Sequence, residues 1–252
     1  MSNNHTNAYA FMLMGRISAF RETLNVKQKK DFDALMEEIL SEPLEEEDDD
    51  DEEEEGEEDV IPRIIQGFPS RRLTVKVQLN NVKPAIWRKL EIPSALTLEA
   101  FAYVINIAMG WDGGHLHGFR VGRKEIEDEE DTAVGELLRD KGDKLTYEYD
   151  YGDGWVHKIE LTANPILGDE LGVRLLGGKN ACPPEDFGGP WYYNDFLQAW
   201  NAQDNAALEG EFAETMEWLE EDFDPAEFDP IPFQEELDDF MANGRRSLFD
   251  FL

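Results

Sequence analysis

The stretch Leu73-Thr-Val-Lys-Val-Gln-Leu79 alternates apolar and polar residues at every position. A period of two puts Leu73, Val75, Val77 and Leu79 on one face, the pattern of a half-buried strand. Asn80 to Pro84 carries turn residues, and Ile86-Trp-Arg-Lys-Leu-Glu-Ile92 reads as a second strand ended by Pro93. The period then changes. From Thr97 to Met109 the apolar residues Leu98, Phe101, Ile105 and Met109 form one helical stripe, with Thr97 placed to cap it and Gly110 to end it. His115 to Val121 returns to strand character. This ββαβ opening is similar to that of β-grasp proteins, and it sets the expected class as α+β: a mixed or antiparallel sheet with packed helices.

Downstream, an acidic loop covers Glu125 to Asp131. Lys144 to Tyr149 and Val156 to Leu161 read as two strands joined through the tight Tyr151-Gly-Asp-Gly154 turn. A proline- and glycine-rich loop follows, with Pro183-Pro184 and Gly188-Gly189-Pro190. Helices are predicted over about 192–203, 209–221 and 233–243, and Leu248-Phe249-Asp250-Phe251-Leu252 forms an apolar tail. Upstream, residues 7–40 read as a helical hairpin. Tyr9, Met12, Leu13, Ile17, Phe20 and Leu24 make one stripe, Phe32, Leu35, Met36, Ile39 and Leu40 another, with Asn25 at the break. Residues 45–59 are acidic at every position except Gly56, and like charges without apolar residues predict a solvated linker. The expected organisation is therefore a hairpin over 1–44, an acidic linker over 45–70, a main domain over 71–230, and a terminal helix and tail over 231–252.

The formal charge is −34, and the acidic excess extends beyond the linker. Between Arg71 and Pro230 there are 15 Lys and Arg against 32 Asp and Glu. The basic residues occur as isolated pairs, such as Arg71-Arg72, Arg88-Lys89 and Arg123-Lys124. Duplex binding needs clustered cations that displace phosphate counterions, so direct DNA binding is argued against and a protein partner is expected. The single cysteine, Cys182, allows no intramolecular disulfide, which fits a reducing compartment. No apolar run approaches the length of a membrane span, and the apolar segment Ala10 to Met14 is closed by Gly15-Arg16, too short for a secretion signal. A cytoplasmic location is expected.

Six segments then appear in one order. They are Pro84-Ala-Ile-Trp-Arg88; Met109-Gly-Trp-Asp112; His115-Leu-His-Gly-Phe119; Tyr149-Asp-Tyr-Gly-Asp153 with Trp155 and His157; Ala181-Cys-Pro-Pro-Glu-Asp186 before Gly188-Gly-Pro190; and Phe223-Asp-Pro-Ala-Glu-Phe228. As a series they resemble the plasmid pRiA4b ORF-3-like family over about 160 residues. Tyr151 stands where that family usually has phenylalanine, and Trp191-Tyr192 where it often has Gly-Tyr. The resemblance implies a fold and a mobile-element context, and some similar proteins carry resolvase-like labels. The residues themselves offer no recombinase set, since no serine lies among arginines that would activate it.

The chemistry-bearing side chains cluster in these segments. His115 and His117, two apart, would share a strand face. His157 and Trp155 follow a turn bearing Asp150 and Asp153, and Cys182, Glu185 and Asp186 lie in the proline-stiffened loop. Three readings stay open. In the first, His117, Asp153, His157 and either Cys182 or Glu185 converge on a divalent metal, since histidine, carboxylate and thiolate are its usual ligands. In the second, the set is a polar network that fixes the sheet: Asp153 caps a turn, His115 or His117 donates to Asp150 or Asp153, Trp87, Trp111 and Trp155 form walls, and Cys182 is a small buried hydrophobe. In the third, Asp150 and Asp153 pair in a metal-free cleft with His157 as acid or base. There is no P-loop and no G-x-G-x-x-G. The function expected from the whole is a non-enzymatic interaction or accessory module associated with mobile elements. The alternative is a metal-dependent binding protein or hydrolase.

Overall fold

The computed structural model describes residues 29–30, 62–69, 71–168, 171–219 and 223–244. Contacts divide the chain into two units, Met1–Glu55 and Gly56–Leu252, and the sheet lies wholly in the second. Of the predicted helical hairpin only Lys29 and Lys30 are described, and both are helical. The rest of the hairpin, the acidic run 45–59 and the tail 248–252 lie outside the described residues.

The second unit opens as its periodicities require: β1 (Arg71–Leu79), β2 (Trp87–Pro93), α1 (Leu98–Met109) and β3 (His117–Val121). There follow β4 (Lys124–Glu125), α2 (Val134–Leu137), β5 (Lys144–Tyr149), β6 (Trp155–Leu161), β7 (Ile166–Leu167), β8 (Arg174–Lys179), α3 (Gly189–Ala202), α4 (Asn205–Leu208), α5 (Ala213–Trp218) and α6 (Pro230–Asn243). The strands form one eight-stranded sheet in the order β4-β3-β5-β6-β1-β2-β8, with β7 paired to the end of β1. Every pairing is antiparallel. The domain is thus α+β.

Register places the buried side chains in rows across one face. Leu79 pairs with His157, which pairs with Tyr147, which pairs with Phe119. Val77 lies between Arg88 on β2 and Ile159 on β6. The helix α1 covers this face. Thr97 caps it by accepting from the Ala100 N–H, and Gly110 closes it in the left-handed conformation at φ 92°. Phe101 of α1 stacks on Phe119, and Tyr147 donates its hydroxyl to Asn106 Oδ1 at 2.9 Å.

The last helix belongs to the same body. In α6, Leu237 and Phe240 are buried and Phe240 stacks on Tyr103 of α1. Gln234 accepts from the Leu175 N–H and donates to the Val173 carbonyl, occupying backbone groups along the free edge of β8. Some elements differ from the sequence expectation. β3 begins at His117, leaving His115 in the preceding bend. β8 has no alternating pattern because Gly177 and Gly178 break it. A Cβ at Gly178 would lie 2.5 Å from Phe228 Cε1, so any side chain there has to displace that ring. The helix expected from 192 starts at Gly189, because Gly188 turns the chain at φ 90° and Pro190 is pre-set for a first helical turn.

Candidate functional site

The turn between β5 and β6 is organised by its two aspartates. Asp150 sits at φ 52°, and its Oδ1 accepts from the Gly152 N–H at 2.8 Å and the Asp153 N–H at 3.3 Å. That commits one carboxylate oxygen to the turn and leaves Oδ2 facing His115 Nδ1 at 4.0 Å. Asp153 points elsewhere. Its Oδ2 accepts from Trp155 Nε1 at 3.2 Å and from the Gly188 N–H at 2.8 Å, tying the turn to the start of α3. The two chains approach so closely that a Cβ at Gly189 would lie 2.6 Å from the Asp153 carbonyl oxygen.

The proline-stiffened loop crosses beside this turn. Trp111, buried at the end of α1, donates its indole N–H to the Pro183 carbonyl at 2.8 Å. Glu185 Oε1 accepts from the Tyr149 hydroxyl at 2.9 Å and from the Asp112 N–H at 2.8 Å. Its Oε2 lies 3.9 Å from His115 Nε2, and Asp186 Oδ1 lies 3.3 Å from the same nitrogen. The His115 ring stands edge-on to Tyr149, with centroids 5.7 Å apart. One ligand atom each from His115, Asp150 and Asp186 therefore lie within 4.8 Å of one another, with the Glu185 carboxylate alongside. Burial pushes the Glu185 carboxyl up to about 7; the hydrogen bonds from Tyr149 and Asp112 oppose this, and the charge of Asp112 adds to it.

The remaining sequence candidates are dispersed. His117 faces Glu129, Nε2 to Oε2 3.3 Å, and Glu129 also accepts from the Phe119 N–H. His157 is fully buried in the sheet row, edge-on to Trp111 at 5.2 Å; neither ring nitrogen makes a hydrogen bond of normal geometry, and the nearby backbone of Tyr147 and Trp155 only weakly favours the charged form against burial. Burial pushes its imidazole down to about 3, so it is neutral near pH 7. Cys182 is buried, and burial pushes its thiol up to about 12, with Arg88 opposing. The quartet His117, Asp153, His157 and Cys182 is not gathered. Among the described residues the group with metal-ligand proximity is His115, Asp150 and Asp186. Cys182 in this protonated state is not poised as a nucleophile. Trp155 serves as a buried wall against Tyr193 and Trp111. The sequence reading missed the parts of Asp112, Tyr149 and Glu129. Their hydrogen-bond partners come from distant segments, and only the position of Asp112 and Tyr149 inside the ordered motifs marked them out.

Among the described residues no helix is long and apolar enough to cross a membrane. Residues 71–231 match the family described as plasmid pRiA4b ORF-3-like protein. The chain is 34% identical over 186 residues to the uncharacterized protein y4hQ of Sinorhizobium fredii, covering 68% of this chain and 93% of that one. It is also similar to the crystal structure of MM3350, a protein of unknown function from Methanosarcina mazei Go1. That similarity has a TM-score of 0.54 and 27% identity, over 65% of this chain and 96% of the other.

Proposed function

The chain belongs to the plasmid pRiA4b ORF-3-like family, and from the geometry of its histidine–carboxylate cluster we propose that it binds a divalent transition-metal ion at His115, Asp150 and Asp186. The supporting observation is the mutual proximity of the three ligand atoms. Metal–ligand bonds of about 2.1 Å place neighbouring ligand atoms about 3.0–3.5 Å apart, and the 3.3 Å between His115 Nε2 and Asp186 Oδ1 falls there. Imidazole with carboxylates suits zinc, manganese or iron(II) better than calcium or magnesium. Asp186 is 77% exposed, so the outer side of the site is left to water. Glu185, with its Oε2 3.9 Å from His115 Nε2, stands beside the site, and a metal held there would supply the activated water that a hydrolase uses.

The test is elemental analysis of protein purified without a histidine tag. About one equivalent of zinc, manganese or iron is expected, with a lower melting temperature after EDTA. Asp186→Ala, at an exposed position, removes the metal without unfolding the chain. Less than about a tenth of an equivalent, with melting unchanged when each of these ions is added back, overturns the reading.

A second reading, a non-enzymatic interaction or accessory module, draws on Leu116 and Trp191, which are 70% and 75% exposed, and on the net charge of −34. Exposed aromatic and aliphatic side chains favour a protein surface, and the charge favours a basic partner over duplex DNA. A cytoplasmic, mobile-element setting rests on the single cysteine and on the family resemblance. A partner whose capture survives both Leu116→Ser and Trp191→Ser counts against this surface.

A further inference from the structure

Arg88 is 1% exposed and holds its guanidinium inside the domain. Nε donates to the Ala108 carbonyl at 2.7 Å, and Nη1 reaches the carbonyls of Trp87, Asn180 and Lys179. The Phe228 ring covers the cation at 3.8 Å. Carbonyl dipoles and a ring quadrupole offset part of the cost of burying a charge, but Nη2 has no hydrogen-bond partner, and among the described residues no carboxylate forms an ion pair with this arginine. Burial lowers the affinity of the group for its proton only to about 10, so it remains a cation near neutrality. Arg88 also lines a cavity of about 560 Å³. The other walls are mostly apolar and include Met109, Pro183, Trp218, Leu219, Phe228 and Phe233. An apolar cleft of this size beside a buried, unsatisfied donor has the form of a small-molecule site; Nη2 is itself closed off from solvent, so a ligand reaches it only by displacing the Phe228 ring that covers the guanidinium.

We propose that this cavity binds a small apolar monocarboxylate, its carboxylate on Arg88 Nη2 and its body between Trp218, Leu219 and Phe233. A carboxylate supplies the missing acceptor and the missing counter-charge in one group. Asp224, Glu227 and Asp229 also line the cavity. Two of them are engaged with backbone, Asp224 accepting from the Ala226 N–H and Asp229 capping α6 through the Ile231 N–H. Their charges oppose any anion and oppose phosphates and other polyanions most, so among acids a singly charged one is disfavoured least. Trp218, 46% exposed, is the part of the wall that a ligand would cover.

The matched probes are 4-phenylbutanoate and the neutral 4-phenylbutan-1-ol, titrated by calorimetry and by melting-temperature shift on the full chain. The acid binds with one-to-one stoichiometry and raises the melting temperature, and the alcohol binds at least about tenfold more weakly. Arg88→Met abolishes the difference between the two. Because Arg88 also ties α1 to β2 and β8, that variant risks misfolding, and Trp218→Ala gives the second readout: affinity for the acid falls at least about fivefold while the unliganded melting temperature stays within about two degrees. No saturable binding of the acid up to about 1 mM, equal affinity for the alcohol, or unchanged affinity in Trp218→Ala overturns the proposal.

Discussion

His157 is fully buried, and its imidazole is pushed down to about 3 from an ordinary 6.5. In the unfolded chain the ring takes a proton near 6.5; in the folded chain it stays neutral until about 3. Across that window the unfolded state holds one more proton. Acid therefore favours unfolding, and the stability this residue contributes is intact above 6.5 and is lost as the pH falls toward 3. At about 1.4 kcal/mol per pH decade, the fall from pH 8 to 4.5 removes about 2.7 kcal/mol, nearly all of it below pH 7. The chain carries 57 acidic residues whose mutual repulsion acid relieves, so wild type alone would not isolate the effect. His157→Leu does isolate it. The substitution keeps an apolar group of similar volume against Trp111 and Tyr147, at 5.2 and 5.5 Å, and removes two unpartnered nitrogens. At pH 8 the two proteins should differ by less than about 1.5 kcal/mol. Urea unfolding at half-unit steps from pH 8 to 4.5 should show wild type losing about 2–3 kcal/mol relative to the variant. Parallel curves would refute the reasoning, because they would mean that the folded protein protonates His157 as readily as the unfolded chain does.

Thr97→Ala removes the hydroxyl that caps α1 and should cost about 1 kcal/mol in urea unfolding; no change would mean that another group satisfies the Ala100 N–H. Gly178→Ala places a methyl group 2.5 Å from Phe228 and 2.9 Å from Arg88 Cδ, and should cost about 1–3 kcal/mol, whereas Gly172→Ala, with nothing within 4 Å, should be neutral. The Cys182 thiol, pushed up to about 12, should resist a disulfide reagent such as DTNB at pH 8 in the folded protein and react at once in urea; rapid labelling without denaturant would contradict its burial.

Most of the fold was legible because its strands and first helix carry strong periods. Leu73 to Leu79 alternates and is buried at alternate positions, and Leu98 to Met109 has a cap, a stripe and a terminating glycine, all of which the structure uses. The sequence failed where pairing is a long-range matter. β8 contains two glycines and little alternation, and it is a strand because β2 offers it an open edge and Gln234, 59 residues beyond Leu175, holds its backbone. The helix expected over 209–221 is the shorter α5, Ala213–Trp218, and α4, Asn205–Leu208, lies before it under an Asp204 cap that the apolar period of Phe212, Met216 and Leu219 does not reach.

The site was legible as a list of segments but not as a set of contacts, and the reason lies in the loop 181–188. Treating His115 and His117 as strand neighbours on one face predicts that they act together. In the structure His115 precedes the strand and turns toward the loop, while His117 enters the sheet and meets Glu129. The loop splits its own residues in the same way. Cys182 and Pro183 turn inward to the cavity beside Arg88, whereas Glu185 and Asp186, the latter at φ 55°, face His115. No short-range pattern encodes that reversal. It follows from two long-range anchors, the Trp111 indole on the Pro183 carbonyl and the Asp112 N–H on the Glu185 carboxylate, which fix consecutive parts of the loop to consecutive residues after α1. The inward and outward faces of this loop are therefore mechanically joined. A ligand ordering Pro183 from the cavity would also order Glu185 beside His115, and linkage requires that any such coupling act equally in both directions. Measured with zinc and 4-phenylbutanoate, the factor by which each alters the other's affinity should be the same; a factor of one for both would show that the anchors already hold the loop fixed without either ligand.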